Sequence, residues 1–362
     1  MTRITAAARA QRPLIVALVL GVVLAPLSAC APAPVLMASG DHKHVGRTYY
    51  VSPSGSDRNS GTSARFPWRT IGRVNRARLH AGDTVLFQGG ATFTGAYLKG
   101  NGGGERGKPI TYSTYGGGNA IVPSIYVEEH DFLTFNHFTI RGRGITSYWG
   151  AGGTHASDIT IENSLITDVK AGIGVISGDR WHIFNNTIDE TGDSGILTQT
   201  ADEGGSGIPG NEWVIDNNTI TNTGRHNFGW GEHGIYLKCT NSEVSNNTIT
   251  TFQDSGISQR YGNDIIAKNK ISNGNAGSIG IAFIPYAATG HTSHWVENNV
   301  SGTLTGLYTP LHDSGSPPPG GTTKENFVVE RNAIGPLQEH ANSWSDMHSA
   351  GKITFVQNTF VR

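Results

Sequence analysis

The chain has little cysteine: two residues in 362, Cys30 and Cys239. One sits beside an N-terminal apolar segment, so no intrachain disulfide framework is available. It also lacks a basic excess, with 27 Lys and Arg against 28 Asp and Glu. That balance excludes a nucleic-acid binder that works by neutralising phosphates. Long apolar runs are missing too. The stretch from Leu14 to Leu24 is too short for a comfortable membrane span. What the chain has in abundance is glycine, 49 residues without a collagen period. Glycine together with Asn, Thr and Ser fits a fold made of many tight corners.

The N-terminus reads as an address. Arg3, Arg9 and Arg12 precede the apolar run, which ends in Leu27-Ser28-Ala29-Cys30. That string looks like a bacterial lipoprotein signal, with residues 1–29 removed and Cys30 lipidated. Plain secretion is the alternative, and in both cases the mature chain works outside the cytoplasm. Residues 30–47, including Ala31-Pro32-Ala33-Pro34, read as a flexible tether. Contact with a membrane is expected only through the lipid, and the chain is expected to work as a monomer.

A short phrase then recurs nine times: Asn, any residue, a bulky apolar residue. It begins at Asn136, Asn163, Asn186, Asn218, Asn247, Asn269, Asn298, Asn332 and Asn358. The spacing has a floor near 22 residues with longer gaps between. A coil of constant circumference with loop insertions produces that pattern, which predicts an all-β, right-handed parallel β-helix of at least nine coils. Stacked Asn at one corner can bond coil to coil, since the amide both donates and accepts. Ile188, Ile220, Ile249 and Ile271 should stack inward. The β-helix domain is expected over 48–362, with the N-terminal cap and first coils in 48–125 and repeat coils in 126–362. Within it, Thr70 to Leu79 carries a rough helical stripe (Ile71, Val74, Leu79) with Thr70 as N-cap, suited to a capping helix. Toward the other end, Leu337 to Ser349 is expected to cover the last coils, and the chain closes on a strand phrase from Thr354 to Val361.

The entry carries three recognisable strings: Tyr49 to Asp57, Pro67 to Ile71, and Ala81 to Phe87. They resemble the entry of secreted right-handed β-helix proteins, many of which are polysaccharide lyases or glycosidases. The resemblance implies a polysaccharide substrate and is looser for the reaction.

A second phrase, Gly followed by an aliphatic residue, recurs at Gly172, Gly195, Gly234, Gly256, Gly280 and Gly306. The residue after each Gly should face the core. Strand alternation then turns the Gly, and the residues two before, two beyond and four beyond it, toward solvent. Aligned so, Gln199, Lys238 and Arg260 form one outward column, Asp193, Glu232 and Asp254 a second, with Tyr236 between. A guanidinium one coil from an ammonium favours the neutral amine. Lys238 can then serve as a base for the proton at C5 of a uronate. Arg260 can supply charge to the carboxylate or leaving group, the needs of a β-elimination.

This stretch also resembles the alginate lyase and chondroitinase B family of β-helix lyases. The matching residues are Lys238-Cys239-Thr240-Asn241, Asn246-Asn247-Thr248 and Gly256 to Gly262. In that family a Lys base and an Arg one coil later carry the elimination, roles that fall here on Lys238 and Arg260. Glu232, Tyr236 and Gln199 become substrate contacts. The family's lyases bind calcium through acidic residues shortly before the Lys. Here only Glu232 is close and its offset differs, so the resemblance leaves the metal unassigned.

Three other readings stay open. Asp193, Glu232 and Asp254 could place two carboxyls one coil apart, as a retaining glycosidase requires. A uronate epimerase shares the first proton abstraction. A non-catalytic glycan-binding surface protein needs none of this chemistry. His226, Trp230 and His233 lie in an aromatic insertion that could stack sugars, with His233 turned inward by parity and satisfied there. Tyr286, His291 and His294 follow the same coils and could line the groove.

Overall fold

The computed structural model describes residues 44–127, 130–147, 156–176, 178–199, 209–225, 232–285, 291–309, 325–338, 343–347 and 351–361. Cys30 and the signal and tether segments therefore lie outside the described residues, apart from the last few before Thr48.

The chain is a right-handed parallel β-helix. Every paired strand runs parallel to its partner, coil upon coil. Among the described residues the first sheet has twelve strands, from Thr48–Val51 to Ile353–Val356. A second sheet runs from Leu165–Val169 through Thr187–Thr191 and Thr248–Thr250 to Thr359–Phe360. A third runs from Ile173–Ile176 through Ile235–Leu237 and Ser255–Gln259 to Ser343–Met347. Two long early strands, Ala120–Val127 and Phe138–Ser147, bend to serve both the second and third sheets.

The core follows from register. Ile166, Ile188, Ile220, Ile249 and Ile271 stack in the second sheet, and Ile173, Ile196, Ile235, Ile257, Ile281 and Leu307 in the third. All are fully buried. Each such side chain contributes about 1.5–3 kcal/mol of burial, so the columns supply most of the cohesion along the rod.

The corners are sharper than the repeat phrase suggested. The residue before each buried Asn holds a left-handed backbone: φ is 55° at Asn185, 54° at Asn217, 55° at Asn246, 58° at Lys268, 56° at Glu297 and 53° at Arg331. One such residue swings the chain from the first sheet into the second. The Asn that follows turns inward. Asn186, Asn218, Asn247, Asn269, Asn298 and Asn332 are all at most 2% exposed. The Nδ2 of Asn247 donates to Ile215 O at 2.9 Å and Asn269 Oδ1 at 3.0 Å, while its Oδ1 accepts from the backbone N–H and Nδ2 of Asn218.

Four expectations need correction. Asn163 and Asn136 do not belong to this ladder. Asn163 itself is the left-handed residue (φ 52°), and Ser164 takes the buried place, accepting from Phe138 N–H. Asn163 joins an outer ladder in which its Nδ2 donates to Asn136 Oδ1 at 3.0 Å. The phrase matched Asn163 one residue and Asn136 two residues out of phase, since Asn136 pairs with Glu162 and His137 is the left-handed residue of its coil.

Second, the Gly of the second phrase is buried, not solvent-facing. A Cβ on Gly234 would lie 2.4 Å from Ile249 Cγ2 and 2.5 Å from Gly256 O. The chain dives inward there, so the corner breaks the strand alternation.

Third, the helix spans only Ile71–Asn75. Thr70 caps it, its Oγ1 accepting from Arg73 N–H at 3.1 Å. Ala77 N–H returns to Val74 O at 2.8 Å, an i→i+3 closure that ends the helix before the buried Leu79.

Fourth, Ser343–Met347 does not cover the last coils. It pairs in register with Thr305–Thr309 and continues the third sheet. The terminal phrase divides into Ile353–Val356 and Thr359–Phe360 around Asn358, one more corner.

Two stability outcomes follow. Asn247→Ala leaves Asn218 N–H and Ile215 O without their amide partner, and should cost about 3 kcal/mol in urea unfolding. Gly234→Ala must displace either Ile249 or the Gly256 carbonyl and should cost at least about 1–3 kcal/mol. A variant of either kind unfolding at the wild-type midpoint would refute the corner analysis.

Candidate functional site

The third sheet positions the site. Its outward column runs Leu197, Tyr236, Ser258, in register from coil to coil. Tyr236 is the hub. Lys238 Nζ lies 4.6 Å from its ring centroid and Arg260 Cζ 4.8 Å. Both cations are half-buried against one ring, a contact that draws strength from the ring quadrupole. The backbone holds them there: Arg260 N–H donates to Leu237 O at 2.9 Å, and Lys238 N–H donates to Thr198 Oγ1. Arg260 also donates through Nη1 to Ile284 O at 3.1 Å.

His233 closes the inner side. Its ring centroid is 4.6 Å from that of Tyr236, and it is fully buried. Parity turned it inward as expected, but not into a satisfied pocket: neither ring nitrogen has a hydrogen-bond partner among the described residues. Nδ1 is 3.8 Å from Asp254 Oδ2, beyond hydrogen-bond length. Burial, aided by the charges of Arg260 and Lys238, holds the imidazole well below the usual histidine range and therefore neutral.

The acidic column divides. Asp193, Glu232 and Asp254 do lie on consecutive coils: Gly224 N–H donates to Asp193 O, and Asp254 N–H to Glu232 O, both at 3.0 Å. Glu232 does not face solvent. It is 2% exposed, covered where Gly224 passes so close that a Cβ there would come within 2.9 Å of Glu232 Cβ. The Gly corner that follows breaks the outward parity. Asp193 is half-buried, and its Oδ1 accepts from Ser194 N–H at 2.6 Å. Asp254 is half-buried, and burial raises its carboxyl above the usual range against the opposing pull of Ser255 and Arg260.

Several expected residues lie elsewhere. The side chain of Gln199, and all of His226, Trp230 and Tyr286, fall outside the described residues. His294 pairs with Ile265 on the first sheet, on a different side of the rod from Tyr236. It lines a separate cavity of about 450 Å³ with Glu212, Asn241 and Glu243. His291 offers its backbone N–H to Glu325 at 3.1 Å.

A buried polar cluster behind the site was not legible. Gln259 Nε2 donates to Asp264 Oδ2 at 2.8 Å, and Ser293 Oγ donates to Glu325 Oε1 at 2.9 Å. Asp264 and Glu325 are fully buried, and burial pushes the Asp264 carboxyl well up. Glu325 follows a long insertion, so no local signal linked it to the coil of Arg260.

Cys239 is likewise buried, its thiol pushed well above the usual range by burial. That environment suits a core residue rather than a nucleophile.

The sequence profile of a family described as periplasmic copper-binding protein (NosD) matches residues 106–300. The chain belongs to the NosD family. The family's description puts it outside the cytoplasm. Copper itself is not supported by the donors present: among the described residues no group of three or more His, Cys, Asp or Glu side chains converges, and Cys239 and His233 are sealed in the core. Calcium, which takes several carboxylate oxygens, likewise finds no group of three such side chains among the described residues.

Among curated proteins, a lacto-N-biosidase of Bifidobacterium longum subsp. longum is 40% identical over 84 residues, 22% of this chain and 5% of that protein. The uncharacterized protein YwoF of Bacillus subtilis is 31% identical over 157 residues, 43% of this chain and 30% of that one. The chain thus spans less than a third of either relative. Among solved structures, XylC in complex with xylose has a TM-score of 0.59 at 13% identity, over 82% of this chain and 76% of that one. An alginate lyase of Paenibacillus sp. str. FPU-7 has 0.54 at 18%, over 86% and 99%. A GH136 lacto-N-biosidase of Eubacterium ramulus has 0.53 at 13%, over 87% and 68%. These likenesses bear out the β-helix.

The buried imidazole makes a pH prediction. His233 has a folded pKa below its unfolded value of about 6.5, so below that pH the unfolded chain binds a proton the folded chain refuses. Stability should fall as pH drops from there, by at most about 1.4 kcal/mol per pH unit from this group. His233→Phe should flatten that part of the stability–pH curve in urea titrations. An unchanged slope would mean that the ring is protonated in the fold.

Proposed function

We propose that this NosD-family chain is an extracytoplasmic, lipid-anchored polysaccharide lyase that cleaves a uronate-containing glycan by β-elimination. The observation that supports it most is the shared seat of Lys238 and Arg260 on the Tyr236 ring. A polyuronate offers a carboxylate beside an acidic C–H, and two cations on one open face suit both.

In this reading Arg260 meets the substrate carboxylate and stabilises the enolate-like charge that develops when the C5 proton leaves. Lys238, as its neutral amine, takes that proton. The electron pair moves to form the C4–C5 double bond as the C4–O bond breaks. Lys238, now protonated, or Tyr236 returns a proton to the leaving oxygen. Tyr236 also gives the sugar a flat apolar face. Asp193 and Asp254, both half-buried, frame the inner edge of the site and contact substrate hydroxyls, while the buried Glu232 lies beneath them and does not reach the sugar.

A polyuronate panel tests this. Cleavage should produce an unsaturated uronate absorbing in the near ultraviolet. Lys238→Ala should lower kcat by about 10²–10⁴-fold, and Arg260→Ala should lower kcat/KM comparably. Full activity in Lys238→Ala would end the assignment.

A hydrolytic second reading is favoured by the raised carboxyl of Asp254, poised to donate a proton. The local likeness to a lacto-N-biosidase points the same way. Its signature is new reducing ends without near-ultraviolet absorbance, lost in Asp254→Asn and retained in Lys238→Ala.

A further inference from the structure

A cavity of about 700 Å³ lies toward the amino-terminal end of the third sheet and is not the site of Lys238. Its lining is Tyr97, Ser124, Tyr126, Arg143, Thr146 and Lys170. The composition is selective. Arg143 and Lys170 are exposed cations, and no carboxylate is among the described lining residues. Tyr97 and Tyr126 meet edge to face, centroids 5.7 Å apart at 75°, and Lys99 Nζ lies 5.8 Å from the Tyr97 centroid. Tyr97 is 46% exposed, a large aromatic surface left to solvent. Aromatic faces pack against the C–H faces of pyranoses. Ser124 and Thr146 add hydroxyls, and the cations accept a carboxylate or a sulfate ester.

The cavity shares a surface with the Lys238 site. Tyr126 pairs in register with Thr146, Thr146 with Gly174, Gly174 with Leu197, and Leu197 with Tyr236. These residues form one outward column over four coil steps, about 19 Å at the inter-strand spacing. Between the ends, no described atom comes within 4 Å of where a Cβ on Gly174 would stand, and Leu197 is half-buried.

We infer that this cavity is a distal binding site for an anionic sugar unit of the same chain that enters the Lys238 site. It selects long, negatively charged glycans and holds them along the rod axis. Resting on the lyase reading for the identity of the near site, the inference makes its own demand: affinity should depend on chain length and on Arg143 and Lys170. Both side chains are exposed, so their replacement should leave the fold intact, as thermal melting can verify.

The test is affinity electrophoresis of the full chain through gels containing a polyuronate, a sulfated galactan or a neutral glucan. The wild type should be retarded by at least one anionic polymer and not by the glucan. Arg143→Gln/Lys170→Gln should weaken that retardation about tenfold, the loss expected for charged hydrogen bonds. Retardation by the polyuronate alone identifies the carboxylate; retardation by the galactan as well identifies a general anion site. In kinetics, the double variant should raise KM for the polymer and leave kcat/KM for a trisaccharide unchanged, since a trisaccharide is too short to span both sites. Equal retardation of variant and wild type, retardation by the glucan, or none by any polymer would overturn the inference. Retention without cleavage would sink the lyase reading and leave this site standing. Cleavage with an unaltered polymer KM would do the reverse.

Discussion

The structure depends on one recurring constraint: a single left-handed residue followed by an Asn that must turn inward. The left-handed residue bends the strand without breaking the coil. The amide then satisfies the carbonyls and N–H groups that the bend removes from the sheet ladder. Where the bent residue is Lys268, Glu297 or Arg331, its φ costs the ordinary penalty of an L-residue in that region, about 1–2 kcal/mol. The buried amide ladder offsets it, each Asn bonded to the next coil. Removing one rung exposes the strain of its neighbours, which makes the ladder cooperative along the axis.

That constraint also aligns the candidate site. Because every coil bends at equivalent places, equivalent residues line up in columns. Tyr236 therefore meets both Lys238, on its own coil, and Arg260, on the next. The same alignment puts Tyr126, Thr146, Gly174 and Leu197 on a continuous strip with Tyr236. A solenoid of this kind suits a polymer ligand, since the binding surface has the ligand's own one-dimensional repeat.

The electrostatics of the site follow from its depth. Tyr236 is half-buried, His233 fully so, and the cations sit at the boundary. The imidazole stays neutral because water cannot solvate its charge and two cations face it. Burial raises the Asp254 carboxyl above its usual range, against the opposing pull of Ser255 and Arg260.

Sequence alone determined the coil. The Asn phrases, the inward isoleucines and the Gly corners declare a parallel β-helix, because each is a local demand repeated in every turn. The outward pairing of Lys238 with Arg260 was also legible, as both stand four residues beyond a Gly. Only the tertiary structure decided which Asn are buried, since inner and outer corners favour the same residue one position apart. It alone turned Glu232 under the Gly224 loop, moved His294 to another sheet and brought Glu325 behind Arg260. It alone joined Tyr97, Arg143 and Lys170 into one cavity. Those outcomes depend on contacts between coils across insertions of unequal length, and no local pattern in a chain encodes where such an insertion returns.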